Sequence, residues 1–353
     1  MGPLLLQPDN FTPATRTPWG GTGIVQRYKP FLIERGLSPD TIVGESWELS
    51  TGPEFPSLTQ AGQPLGECID RDRDRCLGRE LMRGGTALLV KWLEAADNLS
   101  VQIHPSNDYP GLSADEGGKP ECWYVLERQA GAGLYVGLNE GVDRPRMEAA
   151  LASGDDLSKL LRFWPVEPGD FFVLDPGTPH AIGRGVMLIE PQFVAPGRKG
   201  VTYRYWDWNR RYDAQGRRAK DGTPRPLHAQ QALNVTEYAL AGDPEHAAQR
   251  RMAAGDVNLA GPAQLTHLCG VASDGGVVSE ALQVARLAGS GRLELPPWPA
   301  LRGLTVIEGE VRVETPGGAG LRVPGGHTAA LPAALDGDAL TLRSAHAIVS
   351  AAL

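Results

Sequence analysis

Three candidate metal ligands stand out in SVQIHPSNDYPGLSADEGGKPECWYVL, where Gln102 and His104 precede an acidic, glycine-rich loop and Glu121 follows it. A fourth, His180, stands alone at the corner DPGTPH. On an extended chain positions i and i+2 share a face, so Ser100, Gln102 and His104 point together while Val101 and Ile103 point the other way. One imidazole on an apolar strand is more often structural than a ligand, but four N/O donors on short strands can converge inside a small barrel. Two imidazoles and a carboxylate suit Zn²⁺ or another first-row divalent ion, whereas Ca²⁺ would call for more carboxylates. Cys122 is next to Glu121, and neighbouring strand residues face opposite ways, so Cys122 reads as core. Lys91 in LLVKWL is a charge inside an apolar run, which either snorkels to water or is held for a purpose.

These residues need strands to position them. The chain of 353 residues contains 44 Gly and 29 Pro without any short repeat, which favours many short strands and tight turns over long helices. IVGESWELS alternates like a half-buried strand. TALLVKWLEAADNLSVQIHP reads as strand, turn, strand, and ECWYVL and GLYVGL as strands with β-branched and aromatic residues. GDFFVL, the DPGTPH corner and VMLIE continue the pattern. Helical spacing is expected over 65–83, where DRDRDR is a solvated face, in 143–162 with Asp155 or Asp156 as a cap, and in PLHAQQALNVTEYAL. A polar, alanine-rich stretch at 241–262 marks the expected boundary between a metal-binding unit, 1–255, and a second β unit, 256–353. In the latter His267, His327 and His346 are too dispersed for a metal site, so a structural, metal-free barrel is expected.

A net charge of −8 argues against nucleic acid or an anionic membrane as the main partner. The glycines of TPWGGTGIV lack both the dinucleotide spacing and a P-loop lysine. Four cysteines without a C-x-x-C pair suit a reducing compartment, and MGPLLLQPDNF does not read as a signal peptide. No apolar run reaches the length of a membrane span. A cytoplasmic chain, monomeric or weakly self-associating, is expected.

The spacing is similar to the cupin pattern, in which histidines and a carboxylate come from one motif and a last histidine from a P-x-G-x-x-H corner. Here Gln102 replaces the first histidine, a loop displaces the carboxylate, and the corner reads DPGTPH. With WGG, GESWE, LLVKWLEAADNLSVQIHP, GKPECWYVL, PHAIGRG and TYRYWDWNR, the chain resembles the type I mannose-6-phosphate isomerases, particularly the shorter bacterial form, over residues 16 to 240.

The resemblance implies a mainly β, double-cupin fold with a few inserted helices and one zinc held by Gln102, His104, Glu121 and His180. It implies an active-site lysine at Lys119, an acidic pocket residue at Glu190 and a catalytic arginine at Arg204, with Lys91, Ser100, Trp19 and Glu48 also lining the pocket. The stretch EPQFVAPGRKGVTYR is longer than the family pattern, which makes Arg198 and Lys199 competitors for the role of Arg204. The implied reaction is interconversion of mannose 6-phosphate and fructose 6-phosphate through an enediolate. Its substrate is a small anionic sugar, so cations must gather locally in an acidic chain. Alternatives are an isomerase for another sugar, a non-catalytic sugar-binding cupin and a metal-dependent dioxygenase; the lysine, glutamate and arginine disfavour the second, and Q-x-H beside a lysine the third.

Overall fold

The computed structural model describes residues 2–295, 298–315, 320–335 and 339–353. Strands dominate it, as the turn-rich composition requires. A six-stranded sheet runs in the order Arg251–Met252, Phe171–Leu174, Glu121–Arg128, Val186–Phe193, Leu88–Glu94, Glu45–Leu49. A five-stranded sheet runs Tyr203–Trp206, Val101–Ile103, His180–Ile182, Gly133–Leu138, Leu161–Pro165. Both are antiparallel throughout. Leu93, Val125 and Leu188 of the first sheet pack with Leu134 and Ile182 of the second in one apolar core, so the two sheets face each other as the walls of a cupin-type barrel. The large residues Trp92, Trp123 and Tyr124 are fully buried, consistent with strands covered on both faces.

The helices are shorter than the sequence periodicity suggests. Residues 65–83 break into Leu65–Asp70, Arg73–Leu77 and a 3₁₀ turn at Gly78–Arg83. Gly78 has φ +53° and sits against the Pro299 carbonyl, a position a side chain would not fit. Asp156 caps Leu157–Leu160 by accepting from Ser158 N. The alanine-rich stretch at 241–262 is not simply a connector: it holds a short helix, Pro244–Gln249, and the strand Arg251–Met252, which pairs with Phe171–Phe172 at the sheet edge.

The eight-stranded C-terminal sheet is built around three long strands, Leu282–Glu294, Arg302–Val313 and Ala339–Ala352, and is completed by chain from the far N-terminus, because Leu4–Leu5 pairs with Ala329–Ala330. A buried polar joint ties it to the first barrel. Lys29, fully buried, donates to the Pro8 carbonyl, to Ser46 Oγ at 3.0 Å and to Glu48 Oε1. Glu48 Oε2 accepts from Thr328 Oγ1 at 3.0 Å, on the C-terminal sheet. Burial lowers the Lys29 pKa against the opposing pull of Glu48. A buried pair adds little net stability, but removing one partner leaves an uncompensated charge. Glu48→Leu is therefore expected to reduce the unfolding free energy by about 3 kcal/mol or more, measured by urea denaturation; a loss below about 1 kcal/mol would mean the pair carries no such role.

Candidate metal centre and pocket

Cross-strand register builds the site from two rows of residues on facing sheets. In the six-stranded sheet, Lys91 pairs directly with Glu190, and Gln192 with Glu121. Residues two apart share a face, so Glu190 and Gln192 point together, as do Glu121 and Trp123. In the five-stranded sheet His180 pairs with Gln102, and Gln102 with Arg204. The rows meet at the barrel floor.

There His180 Nε2 lies 3.2 Å from Glu121 Oε1, and His104 Nε2 lies 3.4 Å from Glu121 Oε2. One donor atom from each of His104, Glu121 and His180 falls within 4.8 Å of the others, and all three residues are buried. Backbone carbonyls fix both imidazoles. His104 Nδ1 donates to the Val201 carbonyl and His180 Nδ1 to the Thr178 carbonyl, each at 2.9 Å, which leaves each Nε2 lone pair turned towards the cluster. Burial and the neighbouring Lys119 lower the His104 pKa to about 3, so its ring is neutral. Burial alone would raise the Glu121 carboxyl; the Lys119 ammonium opposes this, and the group is held well below its usual range. An ionised carboxylate and neutral imidazoles are the protonation states that bind a metal.

The donors fit an ion. His104 Nε2 and Glu121 Oε1 are buried and have no hydrogen-bond partner among the described residues. Leaving such groups unsatisfied costs on the order of 1–3 kcal/mol each, and a cation between them would satisfy both. The cluster is a metal-binding His/Glu/His site. Gln102 is adjacent, with its amide nitrogen 3.4 Å from His180 Nε2 and its oxygen 3.5 Å from Ser100 Oγ. Its oxygen faces the cluster only after a half-turn of the amide, an exchange of two atoms of nearly equal size.

Above this floor is a cavity of about 430 Å³ lined by Trp19, Lys91, Ser100, Gln102, Lys119, Glu190 and Arg204 among others. The three clustered residues lie just behind its wall and meet it through Gln102 and Lys119, the latter with Nζ 3.5 Å from Glu121 Oε2. Glu190 accepts from Trp123 Nε1 at 2.9 Å and lies 3.6 Å from Lys91 Nζ. Burial and the Glu121 charge push its pKa up to about 7, against Lys91 and Lys119. Burial would lower the Lys91 pKa, but Glu45, Glu190 and Glu121 raise it overall. Arg204 Nε donates to Ser100 Oγ at 3.1 Å and Nη1 to the Pro226 carbonyl at 2.8 Å. Burial and nearby Arg225 bring its pKa down to about 10, still charged near neutrality.

Of the residues the sequence singles out, Glu48 does not reach the cavity. Along Glu45–Leu49, Ser46 and Glu48 face the joint with Lys29 and Thr328, while Glu45 and Trp47 face the cavity. Glu45 Oε2 accepts from Trp47 Nε1 and lies 3.6 Å from Lys91 Nζ, whose charge sits 4.6 Å from the Trp47 ring centroid. Glu45, Trp47 and Gln192 are not among the residues the sequence singles out; strand alternation from Glu190, which the resemblance implies, points to Gln192 two positions on. The competitors Arg198 and Lys199 are exposed at the rim, where Arg198 donates to the Glu116 carbonyl and Lys199 lies 3.8 Å from Asp115.

No family model matches the chain. Over 221 residues it is 35% identical to the mannose-6-phosphate isomerase of Streptococcus mutans, covering 62% of this chain and 63% of that protein. Over 223 residues it is 32% identical to the mannose-6-phosphate isomerase of Bacillus subtilis strain 168, covering 62% of this chain and 64% of that one. The matched part thus spans less than two thirds of these curated relatives. Among solved structures, the mannose 6-phosphate isomerase from Bacillus subtilis aligns with a TM-score of 0.73 at 24% identity over 99% of both chains. The apo mannose 6-phosphate isomerase from Salmonella typhimurium aligns with a TM-score of 0.67 at 15% identity, over 100% of this chain and 99% of that one. At these identities the structures establish the shared fold. His104→Ala is expected to weaken binding of a first-row divalent ion by more than the roughly 10–100-fold that follows loss of a supporting hydrogen bond, read as metal content after dialysis. Unchanged stoichiometry would remove His104 from the centre.

Proposed function

We propose that the chain is a type I mannose-6-phosphate isomerase that interconverts mannose 6-phosphate and fructose 6-phosphate through an enediolate. The observation that carries the reading is a buried His/Glu/His cluster beside a cavity whose wall holds a carboxylate, a lysine and an arginine. His104, Glu121 and His180, with Gln102 as a fourth candidate, would hold zinc. Bound there, zinc supplies Lewis-acid charge to an oxyanion developing on the sugar.

The side chains account for the remaining needs of the reaction. A base must take a proton from the carbon beside the carbonyl and return it one carbon away. Glu190 suits this because it is fixed by the Trp123 indole and its pKa of about 7 lets it accept and release a proton near neutrality. Lys119, largely screened from water, can steady the oxyanion or carry a proton between O1 and O2. Lys91 lies between Glu45 and Glu190, a position that suits tuning their charge better than clamping an anion. Arg204 and the Ser100 hydroxyl it bonds are the better phosphate clamp, since the guanidinium retains N–H groups beyond those two bonds. In this reading residues 1–255 form the catalytic unit and 256–353 support it. The four free, buried cysteines favour a reducing, cytoplasmic setting.

The test is a coupled assay of fructose 6-phosphate formation from mannose 6-phosphate before chelation, after it, and after zinc is restored. Activity is expected to vanish on chelation and return with zinc. No turnover of either sugar phosphate by metal-replete protein would favour a sugar-binding module instead. In the same assay Arg204→Ala is expected to lower turnover by at least about 100-fold with metal content unchanged. Full activity in that variant would pass the role to Arg198.

A further inference from the structure

Gln192 is fully buried and lies directly opposite Glu121 in the sheet. Its Nε2 donates to Glu121 Oε2 at 2.7 Å, closer than the imidazole or lysine nitrogens around that carboxylate, which stand 3.2 to 3.5 Å away. The opposite amide orientation would set two acceptor oxygens against each other at that distance, so the donor is fixed. The amide oxygen, by contrast, is buried without a partner among the described residues. An unsatisfied buried oxygen costs the fold stability, and an apolar side chain of similar volume would fill the space without that cost. The placement is therefore better explained by what the nitrogen does for Glu121 than by packing.

A carboxylate pivots about its last bond, and among two imidazoles and an ammonium it has several similar settings. A short hydrogen bond to Oε2 removes that freedom and leaves Oε1, which has no hydrogen bond of its own, directed at His180. The geometry points to Gln192 as a positioning residue that orients Glu121 for metal binding. This rests on His104, Glu121 and His180 holding an ion. It adds a residue that acts on the site through Glu121 and sets its metal affinity.

The experiment titrates apo wild-type protein and Gln192→Met with Zn²⁺ in competition with a chromophoric chelator, alongside circular dichroism and urea denaturation of the apo proteins. Methionine keeps the length and volume but cannot donate. The variant is expected to fold with a urea midpoint close to that of wild type and to bind zinc roughly 10–100-fold more weakly. A zinc Kd within about twofold of wild type would overturn the inference, and an unchanged Kd with a lowered urea midpoint would mark Gln192 as purely structural. If Gln192→Met does not fold, Gln192→Glu, which keeps the shape and replaces the donor by an oxygen, is judged by the same zinc criterion. Wild-type protein that binds no zinc would refute the metal centre itself, an outcome distinct from equal binding by both proteins.

Discussion

A buried, ionised carboxylate at the barrel floor is the constraint around which the first half of this chain is arranged. Glu121 is 1% exposed, and burial alone would neutralise it. It stays charged because Lys119 from its own segment and Gln192 from the adjacent strand are aimed at it, while His104 and His180 stand around it. Each of these in turn needs a fixed backbone. The carbonyls of Val201 and Thr178 supply it for the two imidazoles, and cross-strand pairing supplies it for Gln192. Charge at this one point thus dictates ring orientation and strand register across two sheets. It also reaches Glu190, whose raised pKa owes its second largest contribution to Glu121.

The eight-stranded C-terminal sheet braces this arrangement where it meets the six-stranded sheet. Beyond the Lys29–Glu48–Thr328 joint, Glu80 is buried and accepts from Thr86 Oγ1, Ala87 N and, across the interface, Leu301 N. Tyr124 Oη bonds His346 Nε2 at 2.8 Å, and the thiols of Cys122 and Cys269 touch at 3.7 Å. Tyr124 and Cys122 belong to the same strand as Glu121, so the back of the strand that presents the carboxylate is clamped by the C-terminal sheet while its front faces the pocket. Alternation makes the division of labour possible: odd positions 121 and 123 serve the site, even positions 122 and 124 the joint.

That same alternation explains what the sequence disclosed and what it hid. It places Gln102 with His104, and Glu121 away from Cys122, without knowledge of the fold. It cannot say which face of an isolated strand looks inward, so it does not decide between Glu45 and Glu48, the latter being the one the resemblance implies. Both carboxylates lie on the same short strand, and only the pairing of Trp47 with Lys91 and the following register shift decide between them. Lys91, a lysine within an apolar strand, is held between two carboxylates and an aromatic face. The long stretch before Arg204 was harder to read. The stretch contains a small parallel pairing of Lys199–Gly200 with Glu116–Gly117, outside the main sheets, and Arg204 lies opposite Gln102. Neither composition nor periodicity shows that two loops will pair with each other.

Arg204, like the exposed rim residue Arg198, differs from the other cations around the cavity. Arg16 pairs with Glu54, Lys91 with Glu45 and Glu190, Lys119 with Glu121, and Arg225 with Asp207. The Arg204 guanidinium has no carboxylate within ion-pair distance among the described residues; it bonds a hydroxyl and a carbonyl, with Arg225 close enough to depress its pKa. A partly desolvated cation with a like charge nearby is unfavourable in the empty protein. A fold selected for stability alone would place a carboxylate there or a smaller neutral residue. Asp207 is available, yet it is committed to Arg210 and Arg225. Under the proposed reading, a guanidinium without an ion pair beside Ser100, one strand pair from Gln102, would suit the phosphate of a sugar phosphate.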